Sequence, residues 1–184
     1  MRCAAAVLLL AVLGALARAQ APDPESDPMI VQRRMALILR QASQYYEAGE
    51  YKAALEHLGK LGGPAAQDLS VLNLRGAILT KLGDYNQALQ LFQSILEADP
   101  NYFPAAFNLG EVQFVRGDYA GALASFREMA RRDPLNELVR FKIMLCELLV
   151  GNDDEARRVA SGLVPAGATP AWYYAQAMLA LKQG

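Results

Sequence analysis

GDYNQALQLFQSILEADPNYFPAAFNLGEVQFVRGDYAGALASFREMARRDP, residues 83–134, carries one pattern twice. Gly76, Gly83, Asp84, Tyr85, Ala88, Leu89, Phe92, Asp99 and Pro100 recur 34 residues later as Gly110, Gly117, Asp118, Tyr119, Ala122, Leu123, Phe126, Asp133 and Pro134. A fixed period of this length marks a stack of helical hairpins. Small residues let two helices approach closely, and a large one fills the seam to the next pair. One hairpin cannot bury its apolar face alone, so copies must pile up.

The offset also works outward. Gly49, Tyr51, Ala54, Leu55 and Leu58 fall in register before the stretch, and Gly151, Ala156 and Ala160 after it. The chain resembles the tetratricopeptide repeat family, which has small residues at repeat positions 8 and 20, a large apolar one at 24 and proline at 32. In that register repeats span 35–68, 69–102, 103–136 and 137–170, with an end helix over 171–182. Position 20 reads Ala54, Ala88, Ala122 and Ala156; position 8 reads Ala42, Gly76, Gly110, Met144 and Met178. Ala66 replaces the closing proline of the first copy, and Ala160 stands for the large residue of the fourth. The resemblance implies an all-α, right-handed solenoid of about four hairpins plus a C-terminal helix.

Residues 1–19 read as a secretory signal. Arg2 gives a positive start, residues 4–17 form an apolar run, and Ala17-Arg18-Ala19 supplies a small-x-small cleavage site. Export to the periplasm or outside the cell is expected, the mature chain starting at Gln20. An uncleaved anchor is the alternative, but about 20 apolar residues are needed to span a bilayer. Residues 20–28, with three prolines among acidic groups, read as a flexible leader, and 29–184 as the repeat domain. Losing Arg2 and Arg18 leaves 16 basic against 19 acidic residues, so no nucleic-acid footprint shows.

Local signals place the helices. A first helix is expected over 29–48 and its return over 51–61, stopped by Gly62-Gly63-Pro64. Hairpins follow over 68–98, 102–131 and 135–163, turning at Gly83-Asp84, Gly117-Asp118 and Gly151-Asn152. Asp84 and Asn152 each precede a Gln or Glu by three residues, as a capping box requires. Asp153, Asp154 and Glu155 sit in a first helical turn, where the macrodipole favours negative charge; a metal is not needed to explain them.

The equipment for catalysis is thin. His57 has no second histidine to share a metal, and Cys146 lies in an apolar run with only Lys142 nearby to lower its pKa. No glycine loop follows a strand, so no phosphate cradle is read. The sequence points to no enzyme, cofactor or metal.

The inner surface is the remaining candidate site. The resemblance implies a concave groove lined by positions 2, 5, 9 and 12 of the first helix of each hairpin. Those and their neighbours give Leu39, Tyr46, Asn73, Phe107, Asn108, Glu111, Phe114, Phe141, Lys142, Leu145 and Leu148, with Trp172 and Ala175 in the end helix. Such walls suit an apolar protein segment. A carboxylate clamp for chaperone tails, known in the family, matches at Asn108 and Lys142 but fails at Asn73, Ala77 and Leu138. In the end helix, Tyr174, Ala177, Met178 and Leu181 are expected to pack on the fourth hairpin, leaving Trp172, Tyr173 and Leu179 uncovered. Either this end associates with another chain, its own copy included, or the natural sequence continues past Gly184.

Overall fold

The computed structural model describes residues 27–163 and 170–183. The expected signal and nearly all of the leader fall outside the described residues, as does the loop 164–169. Among the described residues there are nine α-helices and no strand. They are α1 (Pro28–Glu47), α2 (Tyr51–Leu58), α3 (Leu69–Leu82), α4 (Tyr85–Ala98), α5 (Phe103–Val115), α6 (Tyr119–Arg132), α7 (Glu137–Leu149), α8 (Asp153–Ser161) and α9 (Ala171–Gln183). The first return helix ends three residues early, and a 3-10 turn over Gly63–Gln67 fills the space before α3.

Every hairpin turn is built alike. The residue after each turn glycine donates its N–H five residues back: Glu50 to Tyr45 (2.8 Å), Asp84 to Leu79 (2.9 Å), Asp118 to Gln113 (2.9 Å) and Asn152 to Glu147 (2.8 Å). This bond satisfies an orphan carbonyl at the helix end, and it needs a left-handed residue just before it. Gly83 and Gly117 supply it, at φ 85° and 82°. Asp118 then accepts from the Gly121 N–H at 2.9 Å, and Asp84 caps α4 in the same way. At Asn152 the expected capping box is absent. Its side chain turns back to Glu147 Oε2 at 2.9 Å, because that buried carboxylate needs a donor more than the solvated start of α8 does.

The small residues act by contact. A Cβ added to Gly76 would stand 2.6 Å from the Phe92 ring, and one added to Gly110 would stand 2.7 Å from the Phe126 ring. Each phenylalanine ring therefore occupies the space a side chain would fill, close to a bare helix backbone inside its own hairpin. Both rings are wholly buried, worth about 1.5–3 kcal/mol each. The core runs as a chain of clusters instead of gathering at one centre. One joins Ala88, Phe92 and Ile95 to Ala105 and Val112 of the next hairpin. The next joins Ala122, Phe126 and Met129 to Val139, Ile143 and Cys146.

The end helix packs by a different face from the one expected. Ala171 and Ala175 are buried and Trp172 and Leu179 lie against the last cluster, while Tyr174 and Leu181 are 61% and 77% exposed. Trp172, Ala175 and Leu179 follow Val139, Lys142 and Cys146 by 33 residues, one fewer than the spacing upstream. The interval before α9 is thus one residue short, which turns every side chain of this helix by about 100°. Lys182 fixes the position, donating to the Leu148 carbonyl at 2.9 Å and pairing with Asp153. A cation there also suits the negative C-terminal end of α7.

Candidate functional site: a concave aromatic groove

In the register of the family resemblance the inner wall falls on α3, α5 and α7, one helix per hairpin, with α1 and α9 at either end. The 34-residue period sets Asn73, Phe107 and Phe141 at one level, and Ala77, Glu111 and Leu145 one turn further on. Phe107, Phe114 and Phe141 are half-buried, neither sealed nor fully open. Phe107 lies 5.7 Å from Phe126, Phe114 lies 5.3 Å edge-on to Tyr119, and Phe141 lies 6.3 Å from Tyr174. Each ring is thereby braced by a neighbour while part of it stays exposed, and Phe107 also stacks on Phe103 at 6.4 Å. Leu39, Tyr46 and Leu145 are half-buried too, and Tyr46 leans on Tyr51 at 5.6 Å.

Two assignments fail. Leu148 is only 7% exposed and Ala175 is wholly buried, so neither lines the groove. The packing of α9 against α7 covers both. The same rotation turns outward two residues missing from the expected wall. Tyr174 stands in the open beside Phe141, and Met178, one turn on, is exposed as well. The sequence signal is Ala177, which takes over the small-residue position from Met178 once the spacing is corrected to 33.

The polar groups of the wall pair with one another, although Glu111 Oε1 is buried without a hydrogen bond. Asn108 donates to Asn73 Oδ1 at 3.0 Å. Lys142 Nζ lies 3.1 Å from Glu111 Oε2 and 2.9 Å from Oε1, and only the first contact has hydrogen-bond geometry. The same ammonium sits 5.6 Å from the centre of the Phe114 ring, a cation–π distance. The pair is mostly buried and internally neutral, so the wall offers little net charge.

Other candidate groups have plain surroundings. His57 lies 2.6 Å from Gln41 Oε1 and 3.0 Å from Lys60 Nζ. Cys146 is buried, and burial pushes its thiol up to about 11 despite Lys142. That is the opposite of a nucleophile's requirement. The acidic run 153–155 is fully paired, with Lys182, Arg157 and Arg158 respectively. The hydrogen bond from Arg158 holds the Glu155 carboxyl below its ordinary value. No group of three metal-ligating side chains gathers among the described residues.

A separate apolar hollow of about 600 Å³ opens between α4, α5 and α6. Its lining includes Leu96, Phe103, Ala106, Leu109, Ala124 and Met129. Ala106 stands where Leu72 and Arg140 occur in the neighbouring copies, and Ala124 where Gln90 and Arg158 occur, so small side chains leave this seam unfilled.

Two sequence profiles of the tetratricopeptide repeat match the chain, over residues 73–137 and 116–179. The chain belongs to the tetratricopeptide repeat family. Proteins with this repeat act as protein-interaction scaffolds. The chain is 34% identical over 82 residues to Superkiller complex protein 3 of Homo sapiens, a match covering 45% of this chain and 5% of that protein. To Hsp70-Hsp90 organizing protein 1 of Glycine max it is 26% identical over 106 residues, covering 58% and 18%. It therefore spans only a small part of these repeat proteins. Among solved structures it resembles TTC0263, a thermophilic TPR protein of Thermus thermophilus, with TM-score 0.68 and 24% identity over 82% of this chain and 83% of that one. It also resembles MamA 41-end of Desulfovibrio magneticus RS-1, with TM-score 0.61 and 21% identity over 70% and 72%. At these identities the likeness establishes the solenoid alone.

Proposed function

We propose that this TPR chain is a non-catalytic scaffold that holds an apolar segment of a partner protein in its concave groove, in an extracytoplasmic compartment. The observation that carries the reading is the row of half-buried rings at Phe107, Phe114 and Phe141, each braced from behind. Pre-oriented aromatic walls lose little entropy when a segment docks. Leu138, 51% exposed, and Tyr174 continue the surface. A chaperone-type clamp is disfavoured, because Lys142 is committed to Glu111 and Phe114, and Asn108 to Asn73.

Peptides selected from a random displayed library should be rich in aromatic and aliphatic residues and lose binding at least tenfold to Leu138→Asp. Selection of acidic C-terminal peptides instead would defeat the apolar reading. Leu138 is the cleaner probe than Phe141, which also packs against α9. The compartment rests on residues 1–19. Exported protein should begin at Gln20 by N-terminal sequencing; recovery of the intact chain from the cytosol would argue against export. A second reading, assembly through the C-terminal end, is favoured by the exposure of Tyr173 and Leu181.

A further inference from the structure

We infer that the hollow between α4, α5 and α6 is a binding site for a small, uncharged apolar molecule. It lies off the concave wall: on α5 it takes Phe103, Ala106 and Leu109, whereas the wall takes Phe107, Glu111 and Phe114. What the groove holds is therefore a separate matter. The neighbouring copies show that the fold ordinarily fills this place itself. Ala106 stands where Leu72 and Arg140 occur, Ala124 where Gln90 and Arg158 occur, and Ser125 where Leu91 and Val159 occur. Leu72 and Leu91 pack into the cluster around Phe92. Arg140 reaches so far along its own seam that a Cβ at Gly162, the counterpart of Glu128, would run into its guanidinium. The third copy alone carries a small residue at all three positions, and there about 600 Å³ stands open. Small-molecule sites occupy roughly 300–1,000 Å³.

The lining selects the class of ligand. Leu96, Leu109 and Met129 give it aliphatic walls, and Phe103 adds a ring, 44% exposed and anchored by stacking on Phe107 at 6.4 Å. The charged groups at the rim are spent on one another. Arg132 donates to the Pro100 carbonyl at 2.6 Å and to Asn101 Oδ1 at 3.1 Å, and its Nε lies 3.6 Å from Glu128 Oε1. Glu128 also pairs with Arg131, and Asp133 accepts from Asn136 at 3.2 Å. An ionised ligand would have to take a partner from one of these pairs or enter the apolar space without one, and either is costly. The bonds of Arg132 also run from α6 to the turn between α4 and α5. A docking polypeptide would have to strip water from that polar rim, which a small free molecule need not do.

Naphthol, neutral near neutral pH, and the anionic naphthoate make a matched pair of probes. Titrated into the full chain, naphthol should shift the methyl resonances of Ala106, Ala124 and Met129 to saturation, with a dissociation constant of about 0.1–1 mM. Naphthoate should bind at least tenfold more weakly. Ala106→Leu and Ser125→Leu each import the residue of the second copy. Each should weaken naphthol at least tenfold with circular dichroism unchanged. Absence of a saturating shift at several times the expected constant would overturn the site, as would shifts centred on Phe141 and Leu145 instead. Undiminished binding by both folded variants would remove it from the hollow, and equal binding of naphthoate would overturn the preference for an uncharged ligand.

Discussion

Gly76 and Gly110 show how one absent methyl group shapes a hairpin. Alanine is the better helix former by about 1 kcal/mol, which alone predicts a gain. Its Cβ would press into a wholly buried ring at 2.6–2.7 Å, and overpacking costs about 1–3 kcal/mol. The second effect wins, so Gly110→Ala should lower stability by about 1–2 kcal/mol in urea unfolding. Ala106→Leu has the opposite sign: it fills the hollow beside Met129 and should raise stability by about 1 kcal/mol. At Cys146 burial raises the thiol to about 11. A folded-state pKa above the unfolded one gives stability that is complete below the unfolded value and lost as pH rises through the folded one. Unfolding free energy should therefore fall between about pH 9 and 11, and a Cys146→Ala variant should show a shallower fall. Equal slopes for the two proteins would remove the thiol from the account.

At the level of helices, the turn between α7 and α8 is held by a buried acid. Glu147 is wholly buried, pairs with Arg127 of α6 and accepts from Asn152 at 2.9 Å. It ties three helices together where Leu79 in the second copy makes only apolar contact. Glu147→Ala should cost about 2 kcal/mol, discounted because Arg127 is half exposed and can return to water. Asn152→Ala should cost more than a cap without a side-chain bond would suggest, since it leaves Glu147 short of a donor. Lys182 does similar service for α9. Lys182→Ala should speed amide exchange in α9 alone, because its bonds to Leu148 and Asp153 help pin the helix.

Across the whole molecule, stability is a sum over neighbouring seams, since each cluster joins one hairpin to the next. Phe92→Ala should cost about 3–5 kcal/mol and should melt the first two hairpins ahead of α7 and α8. Site-resolved exchange showing one uniform transition would contradict that gradient. The same open architecture leaves a concave wall and two ends. Recognition is proposed for the wall, so a Leu138→Asp change, at a side chain 51% exposed, should leave circular dichroism untouched.

The period of 34 residues was enough to fix the hairpins and their turns, because glycine, alanine and phenylalanine recur where backbones must touch and seams must fill. The rings at 107, 114 and 141 were put on the wall by the family resemblance and not by the period, and how far each is buried depends on Phe126, Tyr119 and Tyr174 arriving from other helices. The face of α9 could not be read from the period. One residue fewer in the interval rotates a helix by more than a quarter turn, and packing against α7 then decided that Leu148 and Ala175 are covered and Tyr173, Tyr174 and Leu181 are left outside.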